Sequence, residues 1–439
     1  MKIKMSWPKA KLGYICRIEK GLTGINKAIP GVYPMVVTSE ARKSHNEYQF
    51  DDNAVIIPLV SSTGHGHKSL KRIHFQQGKF ALGSILCAVI PRDKTKLSAE
   101  YLFRYLDLNR ENELVSRMKG MANVTLPMKE IAQIEIPLPP IENQIEFTRK
   151  YHLLENNSEL ISDQFAYQLD LLKKLRQQIL QDAVQGKLVP QDPNDEPATV
   201  LLEKIKAEKA QLVREKKIKQ EKPLPAIKAE EVPFEIPKSW VWCRLGTILT
   251  EIKYGTSKSC DYDFSKNSKV LRIPNVSGPA LNDDDLKFTN LSESEQRDLA
   301  LREGDILIIR SNGSRELVGK TVLVTAKFVG YAFAGYLIRL RFNNQWISGK
   351  YLWLTTIAYY FRELIEGPLR TTVGINNINT EEITNLLIPV PSNTEQHRIV
   401  TKVDQLMAIC DDLEQSIRQN QEYTQKLLQV ALKEALEPG

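Results

Sequence analysis

The strongest constraint on the fold is that the chain repeats itself, at a separation of 233 residues at the start of each copy and of 250 to 252 residues further along. Four pairs of similar strings occur in the same order in both halves: WPKAKLG (7–13) and WVWCRLG (240–246), LSAEYLF (97–103) and ISGKYLW (347–353), TLPMKEIAQIE (125–135) and NINTEEITNLL (377–387), IPLPPIENQ (136–144) and IPVPSNTEQ (388–396). A repeat of this length predicts two tandem copies of one module of roughly 180 residues, each large enough for its own core.

A long helix is predicted after each IPxP string, because apolar residues recur there in steps of four and three. At about 40 residues, each helix would be roughly 60 Å long. An amide stands in mid-seam in both copies, Gln168 and Asn420, where it would fix register. The two helices are predicted to pair antiparallel with pseudo-two-fold symmetry; the alternative is that each packs on its own domain as an amphipathic surface helix. The predicted pairing residues are Phe147, Leu154, Ile161, Phe165, Leu172, Leu175, Ile399, Leu406, Leu413, Ile417 and Leu427.

Each copy is predicted to be a mixed α+β domain, because strand-like runs such as NAVIIPLV (53–60) and GDILIIR (304–310) alternate with turn residues. Short helices are predicted at 98–118 and 348–365. The predicted fold class is therefore α+β, with two tandem mixed α/β domains joined by two long antiparallel coiled-coil helices. The predicted boundaries are 1–140 for the first domain, 141–187 for the first long helix, 188–238 for a connector, 239–392 for the second domain and 393–436 for the second long helix.

The connector is rich in proline at both ends and basic in between. The string at 198–222 is predicted to be helical, and it has two possible roles: a solvated linker, or a surface that contacts phosphate. Its basic residues are Lys204, Lys206, Lys209, Arg214, Lys216, Lys217 and Lys219.

Composition narrows the class of protein. The formal charge of +7 is compatible with a nucleic-acid partner. The five cysteines stand singly, which disfavours a disulfide framework or a zinc ribbon and favours free thiols in a reducing compartment. Charges at the N-terminus do not suit a signal peptide, and the longest apolar stretch, 351–361, is too short to span a bilayer. These features predict a cytoplasmic protein with no membrane association.

Motifs of catalysis are not found in the sequence. The string GHGHKS (64–69) has His67 where a phosphate-binding loop requires glycine, and no glycine-rich dinucleotide motif or amino-methyltransferase tetrapeptide occurs. A metal site at His65, His67 and His74 is disfavoured, because the neighbouring cations Lys68, Lys71 and Arg72 would repel the ion. The chain is predicted to be non-catalytic and to hold no metal.

Several loops suit DNA. In the string at 304–320 a buried strand leads into a polar loop, whose arginines suit guanine and whose asparagine suits adenine; the alternative is a solvated turn. The first copy has a comparable basic loop, and a glycine-containing string near the start of each copy offers small polar residues. The predicted DNA-contacting residues are Thr23, His65, His67, Lys68, Lys71 and Arg72 in the first copy, and Thr256, Ser257, Lys258, Arg310, Ser311, Asn312, Arg315 and Lys320 in the second.

Four strings together resemble the DNA-specificity subunits of Type I restriction–modification systems. They are LRQQILQDAVQGKLVPQDPNDEPATVLLEKI (175–205), PFEIPKSWVWCRLG (233–246), GDILIIRSNGSRELVGK (304–320) and LLIPVPSNTEQHRIVTKVDQL (386–406). The resemblance extends over nearly the whole chain and is weakest over residues 14–120, so the DNA sequence that the first domain reads is not predicted.

The resemblance implies two target-recognition domains that read the halves of a bipartite, asymmetric site in double-stranded DNA, with the paired helices as a ruler. It implies that the chain docks two methyltransferase subunits and, through the complex, restriction subunits. No cofactor is expected on this chain; S-adenosylmethionine, ATP and Mg are expected on the partner subunits, which methylate flipped adenines. The alternatives are a specificity subunit of another anti-phage assembly, a coiled-coil scaffold that does not bind DNA, and an enzyme with an unfamiliar site.

Overall fold

The computed structural model of the chain describes residues 7–63, 66–367, 369–372 and 375–434. The chain forms two compact units: unit 1 is Met1–Tyr167 with Ile417–Gly439, and unit 2 is Gln168–Ser416. Each unit therefore contains one copy of the repeat together with part of each long helix.

Unit 1 contains two four-stranded sheets and a short strand pair. Its elements are β1 (Lys9–Lys11), α1 (Leu12–Ile15), β2 (Cys16–Lys20), β3 (Tyr33–Val36), β4 (Lys43–His45), β5 (Phe50–Asp51), β6 (Ala54–Pro58), β7 (His74–Gln76), β8 (Lys79–Leu82), β9 (Leu86–Pro91), α2 (Ala99–Leu108), α3 (Arg110–Glu113), α4 (Met128–Ala132) and β10 (Glu135–Pro137). The sheet orders are β2-β9-β6-β7, β4-β3-β8-β5 and β1-β10. The long helix α5 (Ile141–Val184) follows.

Unit 2 repeats this arrangement after a connecting helix. Its elements are α6 (Ala198–Arg214), β11 (Val241–Arg244), α7 (Leu245–Ile248), β12 (Leu249–Tyr254), β13 (Ser268–Leu271), α8 (Ile273–Val276), β14 (Lys287–Thr289), α9 (Glu293–Leu299), β15 (Ile306–Ile309), β16 (Ser311–Asn312), β17 (Thr321–Leu323), β18 (Ala332–Phe333), β19 (Leu337–Phe342), α10 (Gly349–Ile357), α11 (Tyr359–Glu366), β20 (Arg370–Thr372), β21 (Ile375–Asn377), α12 (Thr380–Asn385), β22 (Leu387–Val390) and α13 (Asn393–Glu434).

The two copies share one topology, which confirms the prediction of tandem α+β domains. The sheet β12-β19-β15-β17 corresponds to β2-β9-β6-β7, and β14-β13-β18 corresponds to β4-β3-β8, with the same parallel pairing in the middle.

The strand β6 shows why the core forms. Its alternate residues Val55 and Ile57 pack in the cluster that includes α2, whereas Ala54 and Ile56 pack against the second sheet, so both faces of the strand are buried.

The repeated strings are the ones that attach each domain to its long helix. The first string pairs with the junction of the third and fourth strings, as β1 with β10 and as β11 with β22. The side chain of Gln144, fully buried at the start of α5, accepts the Ser98 amide at 2.8 Å and donates to two backbone carbonyls. Gln396 accepts the Ser348 amide at 2.8 Å in the same way. Conservation of the pattern between the copies thus reflects hydrogen bonds that orient the helix on the domain.

The two long helices pair antiparallel, as predicted. In unit 1, Leu432 near the end of α13 is buried in the same cluster as Phe147 and Tyr151 near the start of α5. In unit 2, Arg176 near the end of α5 donates to Glu414 at 2.6 Å and to Asp411 at 2.5 Å. Early residues of one helix therefore contact late residues of the other.

The predicted seam is wrong at four positions, two in each helix. Leu175, Leu413 and Leu427 are 46%, 46% and 69% exposed, and Ile161 is 41% exposed. In α13, the less accessible positions after Cys410 are Glu414, Ile417, Gln421, Thr424 and Leu428. In the equivalent part of α5, they are Phe165, Leu169, Leu172, Arg176 and Ile179.

In the equivalent parts of the two helices, alternate seam positions lie one residue later than predicted, whereas Phe165, Leu172 and Ile417 lie in the seam as predicted. Around Cys410, the less accessible positions are four residues apart twice in succession, at 406, 410 and 414. This spacing is equivalent to an insertion in the heptad pattern, of the kind that locally unwinds a coiled coil. The prediction that Gln168 and Asn420 stand in mid-seam is therefore also wrong, because both are exposed. The other predicted pairing residues, Phe147, Leu154, Phe165, Leu172, Ile399, Leu406 and Ile417, are buried or partly buried.

The connector packs within unit 2. Helix α6 ends at Arg214, earlier than predicted, and Lys216 then adopts a left-handed conformation with φ of 55°. Four of its lysines form ion pairs with nearby glutamates, Lys204, Lys206, Lys209 and Lys217. This pairing favours the solvated-linker interpretation over phosphate contact for those four residues. None of the helices in the described ranges combines the length and apolarity that a bilayer span requires.

Candidate nucleic-acid interface

The two polar loops predicted from the sequence leave their domains at equivalent points. In unit 2, the Arg310 amide donates to the Tyr336 carbonyl at 3.0 Å, and the Arg310 carbonyl accepts from the Ile378 amide at 2.9 Å. In unit 1, Leu59 makes the corresponding bonds to Ile85 and Leu126, both at 2.9 Å. Each loop therefore follows a central strand, β15 or β6. The first residue of the loop is hydrogen-bonded through its backbone to two neighbouring segments.

In unit 2, the loop is held by a hairpin that sequence reasoning did not identify. Strand β16 pairs with β21, which in turn pairs with β20. The Asn376 side chain donates to the carbonyl oxygens of Asn312 and Gly313, at 3.4 and 3.1 Å. The hairpin thus fixes the backbone of the loop from one side.

The glycine-containing string lies against the same region. The Thr256 amide donates to the Phe333 carbonyl at 2.8 Å, and the Gly335 amide donates to the Thr256 carbonyl at 2.7 Å. Because Arg310 is bonded to Tyr336, the segment that includes Gly335 connects both predicted loops. The structure therefore brings the strings at 255–258 and 310–315 to one part of unit 2.

The side chains in this region differ in their availability. Ser257 and Lys258 are exposed, but Lys258 pairs with Glu295 at 2.7 Å and lowers the pKa of that carboxyl to about 2. Ser311 is buried, so its hydroxyl is not exposed for contact with DNA. Thr256 accepts the Lys258 amide at 3.1 Å and shapes the turn.

The other predicted residues, in the loop after β16, differ in their exposure and in their hydrogen bonds. The Asn312 carboxamide oxygen accepts the Ser314 amide at 2.8 Å, an arrangement that forms the turn. A two-point contact from Asn312 to adenine would have to share that oxygen. Arg315 is exposed and donates to the Glu366 carbonyl at 3.2 Å, and Lys320 is exposed.

Arg310 is the cation in this region that stacks on an aromatic ring. Its guanidinium carbon lies 4.7 Å from the centre of the Tyr254 ring, within the range of a cation–π contact. Within the described part of the chain it forms no ion pair, and its Nε atom is buried without a hydrogen-bond partner. The side chain is therefore placed firmly while its charge is not neutralised by a carboxylate.

In unit 1, the equivalent loop is larger. The Ser61 hydroxyl donates to the His67 carbonyl at 2.6 Å, and the Ser62 amide donates to the Ser69 carbonyl at 2.9 Å. Gly66 has a φ of 81°, and a side chain there would meet the Met121 carbonyl oxygen at 3.0 Å, so glycine suits both the conformation and the close approach. His65 lies outside the described residues.

The cations of this loop face solvent. His67, Lys68 and Lys71 are exposed, whereas Arg72 pairs with Glu40 at 2.8 Å. Thr23 is partly buried and bridges to Gly83 in the manner that Thr256 bridges to Ala334. Unit 1 therefore presents histidine and lysine where unit 2 presents arginine and asparagine.

The third histidine of this sequence region has a different role. His74 is buried on β7, and its Nδ1 lies 3.2 Å from Nη1 of Arg42. Burial, together with the Arg42 and Arg72 charges, lowers the pKa of His74 to about 4. Among the described residues, no group of three or more His, Cys, Asp or Glu side chains is placed to hold a metal ion.

Sequence reasoning missed two further sets of residues. The first set is the hairpins at 119–125 and 370–377, of which the first exposes Met121 almost fully. The second is the exposed tyrosines Tyr254 and Tyr336 beside Arg310. A signal for the hairpins was present, because a glycine stands shortly before the repeated string at 125–135 and at 377–387. The tyrosines gave no signal, since they lie far from Arg310 in sequence.

Comparison with known proteins agrees with this geometry. The family described as Type I restriction modification DNA specificity domain matches residues 5–179 and 237–422. The specificity subunit of the Type I restriction enzyme EcoAI from Escherichia coli is 37% identical over 275 residues, which are 60% of this chain and 43% of that protein. The EcoEI specificity subunit, also from Escherichia coli, is 34% identical over 268 residues, or 60% of this chain and 44% of that protein. The matched part thus spans less than half the length of these relatives.

Solved structures share the fold. A chain from a structure of the type I R-M system aligns with all of this chain and 99% of its own length, at 17% identity and a TM-score of 0.58. The HsdS subunit from Thermoanaerobacter tengcongensis aligns over 99% of this chain and 98% of its own, at 17% identity and a TM-score of 0.54. At these identities the likeness concerns the fold alone.

Proposed function

Because this chain belongs to the Type I restriction modification DNA specificity family, we propose that it is the subunit that selects the DNA site of a Type I restriction–modification complex. The observation that supports this most is the placement of two chemically different polar loops at equivalent points of two equivalent domains. Each domain reads one part of the site through its own loop, and the chain itself carries out no reaction.

The recognised site is bipartite and asymmetric. Exposed His67, Lys68 and Lys71 offer different hydrogen-bond donors from Arg310 and the loop at 312–315. Side chains with different donor geometry select different bases in the major groove. Two unlike loops on a common framework therefore read two unlike half-sites, and the helix pair leaves a spacer between them that is not read.

Partner subunits dock on apolar residues that the helix pair leaves exposed. In unit 1, these include Ile161, Tyr423 and Leu427; in unit 2, the repeat-equivalent residues Leu413, Leu171 and Leu175 are exposed as well. A helix face that stays apolar in solvent is typical of a surface that a partner covers. One such set in each unit supports docking of two methyltransferase subunits, and of restriction subunits through the complex.

The chemistry belongs to those partners. Methylation of adenine requires S-adenosylmethionine and a pocket for the flipped base, and translocation with cleavage requires ATP and Mg. We place these cofactors on the methyltransferase and restriction subunits. This chain contributes the choice of site, its orientation, and the distance between the two methylated adenines.

The proposal is tested by binding and by activity. The full chain, purified with its methyltransferase subunit, is titrated with duplex DNA over a range of salt concentrations. Specific binding should weaken steeply with salt, because phosphate contacts release counterions, and should survive an excess of unrelated duplex. Failure to bind any duplex in the presence of the partner would favour a scaffold, and methylation or cleavage by the chain alone would favour an enzyme.

A further inference from the structure

We propose that the second domain reads a guanine through Arg310, and that Tyr254 is the positioning residue for the Arg310 side chain. This inference rests on the proposed function and deepens it, because it names one base of the second half-site. It follows from the way in which the backbone, the ring and the charge are arranged around Arg310.

The backbone of Arg310 is fixed on both sides. Its amide donates to Tyr336 at 3.0 Å and its carbonyl accepts from Ile378 at 2.9 Å. It follows β15, whose four residues are all buried. The side chain therefore starts from a point that moves little, which is a requirement for reading a base rather than following a phosphate.

The ring of Tyr254 is fixed as well. Tyr254 is the last residue of β12 and pairs with Ile338, and its hydroxyl accepts the Thr380 amide at 3.3 Å. The ring lies 4.7 Å from the Arg310 guanidinium carbon. Stacking on an anchored ring restricts the long side chain, so less conformational entropy is lost when the guanidinium binds a ligand.

The charge of Arg310 is not balanced within the described part of the domain. Two buried arginines of the same domain are paired: Arg339 with Glu251 at 2.6 Å, and Arg341 with Asp305 at 2.7 Å. Arg310 has no such carboxylate, although its Nε is already buried. Among the residues that the structure describes, the terminal nitrogens of this restrained guanidinium have no hydrogen-bond partner. They match a ligand with two adjacent acceptors, and guanine presents O6 and N7 in the major groove.

Lys320, which lies close to Arg310 through the backbone, presents its charge differently. Lys320 is exposed on a flexible stem, and its backbone carbonyl accepts the Ile309 amide at 2.9 Å, directly before Arg310. A mobile ammonium at this position suits a phosphate, which carries no sequence information. Lys320 therefore serves as the matched control for Arg310.

The experiment uses the full chain with its methyltransferase subunit and duplexes that contain the recognised site. Each guanine of the second half-site is replaced in turn by 7-deazaguanine, which lacks N7. At one position the wild-type complex should lose affinity roughly 5- to 150-fold. The Arg310→Ala complex should bind the natural site less tightly by a similar factor and should not respond further to the analogue at that position.

Three further variants test the parts of the inference. Arg310→Lys should keep much of the affinity and weaken the response to the analogue, because an ammonium still donates to N7 but lacks the planar fork. Tyr254→Phe should keep that response, whereas Tyr254→Leu should reduce it by roughly 2- to 30-fold in the presence of Arg310 and not in the Arg310→Ala background. Lys320→Ala should weaken all duplexes alike and keep the response.

Two results would overturn the inference while leaving the proposed function in place. One is an Arg310→Ala complex that weakens on every duplex equally, as a phosphate contact would. The other is a response to 7-deazaguanine that persists in the Arg310→Ala complex. A complex that binds no duplex at all contradicts the proposed function itself, so the two failures are distinguishable.

Discussion

At the scale of single residues, the repeated glutamines connect sequence to structure most directly. Gln144 and Gln396 look like minor members of the IPxP strings, yet each is fully buried and joins three backbone groups. Their side chains explain why the strings at 97–103 and 136–144 recur together. A buried amide with all its partners satisfied fixes the direction in which a long helix leaves its domain.

Replacing Gln144 by alanine should lower the free energy of unfolding by about 1–3 kcal/mol, because buried backbone groups lose their partners. Asn143, the exposed neighbour on the same helix, is the control, and Asn143→Ala should change stability by no more than about 0.5 kcal/mol. Urea unfolding followed by circular dichroism measures both. Equal stability of the two variants would show that the Gln144 hydrogen bonds do not hold the helix.

His74 makes stability depend on pH. Because its pKa falls to about 4 in the folded chain, the unfolded chain binds a proton first as the pH drops below about 6.5. Stability should therefore be lost as pH falls from about 6.5 to 4, by about 3 kcal/mol at most, and this part of the loss should vanish in His74→Gln. Chemical unfolding at several pH values, with His397→Gln as an exposed control, checks it. A His74→Gln curve parallel to that of the wild type over this range would refute the assignment.

Residues of the interface were only partly predictable. The loops containing Lys68 and Arg310 could be predicted because charged residues and glycine follow a buried strand in the sequence. The position of that strand in the sheet determines where each loop lies. Tyr254 was not found, because its relation to Arg310 depends on how β12 and β15 are arranged around β19. Ser311 was predicted as a contact but is buried, since the burial of a strand end is not visible in composition.

At the scale of elements, the helices were predicted and their register was not. The repeat and the apolar spacing sufficed to predict two long antiparallel helices. The register was ambiguous because adjacent apolar pairs, Leu171–Leu172 and Leu427–Leu428, satisfy either phase of the heptad. An α-helix has 3.6 residues per turn, so a straight helix drifts from a 3.5-residue pattern and must change phase somewhere. Sequence spacing alone does not say where.

The register is tested by two leucines of α13. Leu432 is buried in the same cluster as Phe147 and Tyr151, so Leu432→Ala should cost about 2–3 kcal/mol of stability. Leu427, which the heptad pattern had assigned to the seam, is 69% exposed, and Leu427→Ala should cost less than about 0.5 kcal/mol. Thermal and urea unfolding of both variants measure the difference. A larger loss for Leu427→Ala would restore the predicted register.

The exposed residues should matter for assembly instead. Leu171→Glu and Leu175→Glu place charge on the apolar face of α5 in unit 2, and together they should reduce the number of methyltransferase subunits bound per chain from two to one. Gln177→Glu adds one such charge at an exposed polar position and should leave the count at two. Mass measurement of the purified complexes gives the count, and an unchanged count of two would contradict docking on this face.

At the scale of the whole molecule, the chain is one module used twice with different loops. The shared strings maintain the attachment of each domain to its helix, and the loops at 61–69 and 310–317 vary the chemistry. Under the proposed function, recognition should therefore be able to change in one half of the site without any change in the framework. Two-fold readers of DNA commonly place their half-sites about one turn, or ~10 bp, apart, and a similar separation is expected here.

The most direct test of this account is methylome sequencing of cells that carry the chain with its methyltransferase subunit. We expect one bipartite, asymmetric motif with a spacer of unread bases and a methylated adenine in each half. Deleting a heptad from both helices, residues 162–168 and 414–420, removes roughly 10 Å of helix and should shorten the spacer by about 3 bp, with both half-sites unchanged. A continuous palindromic motif, or methylation confined to one half, would contradict the account.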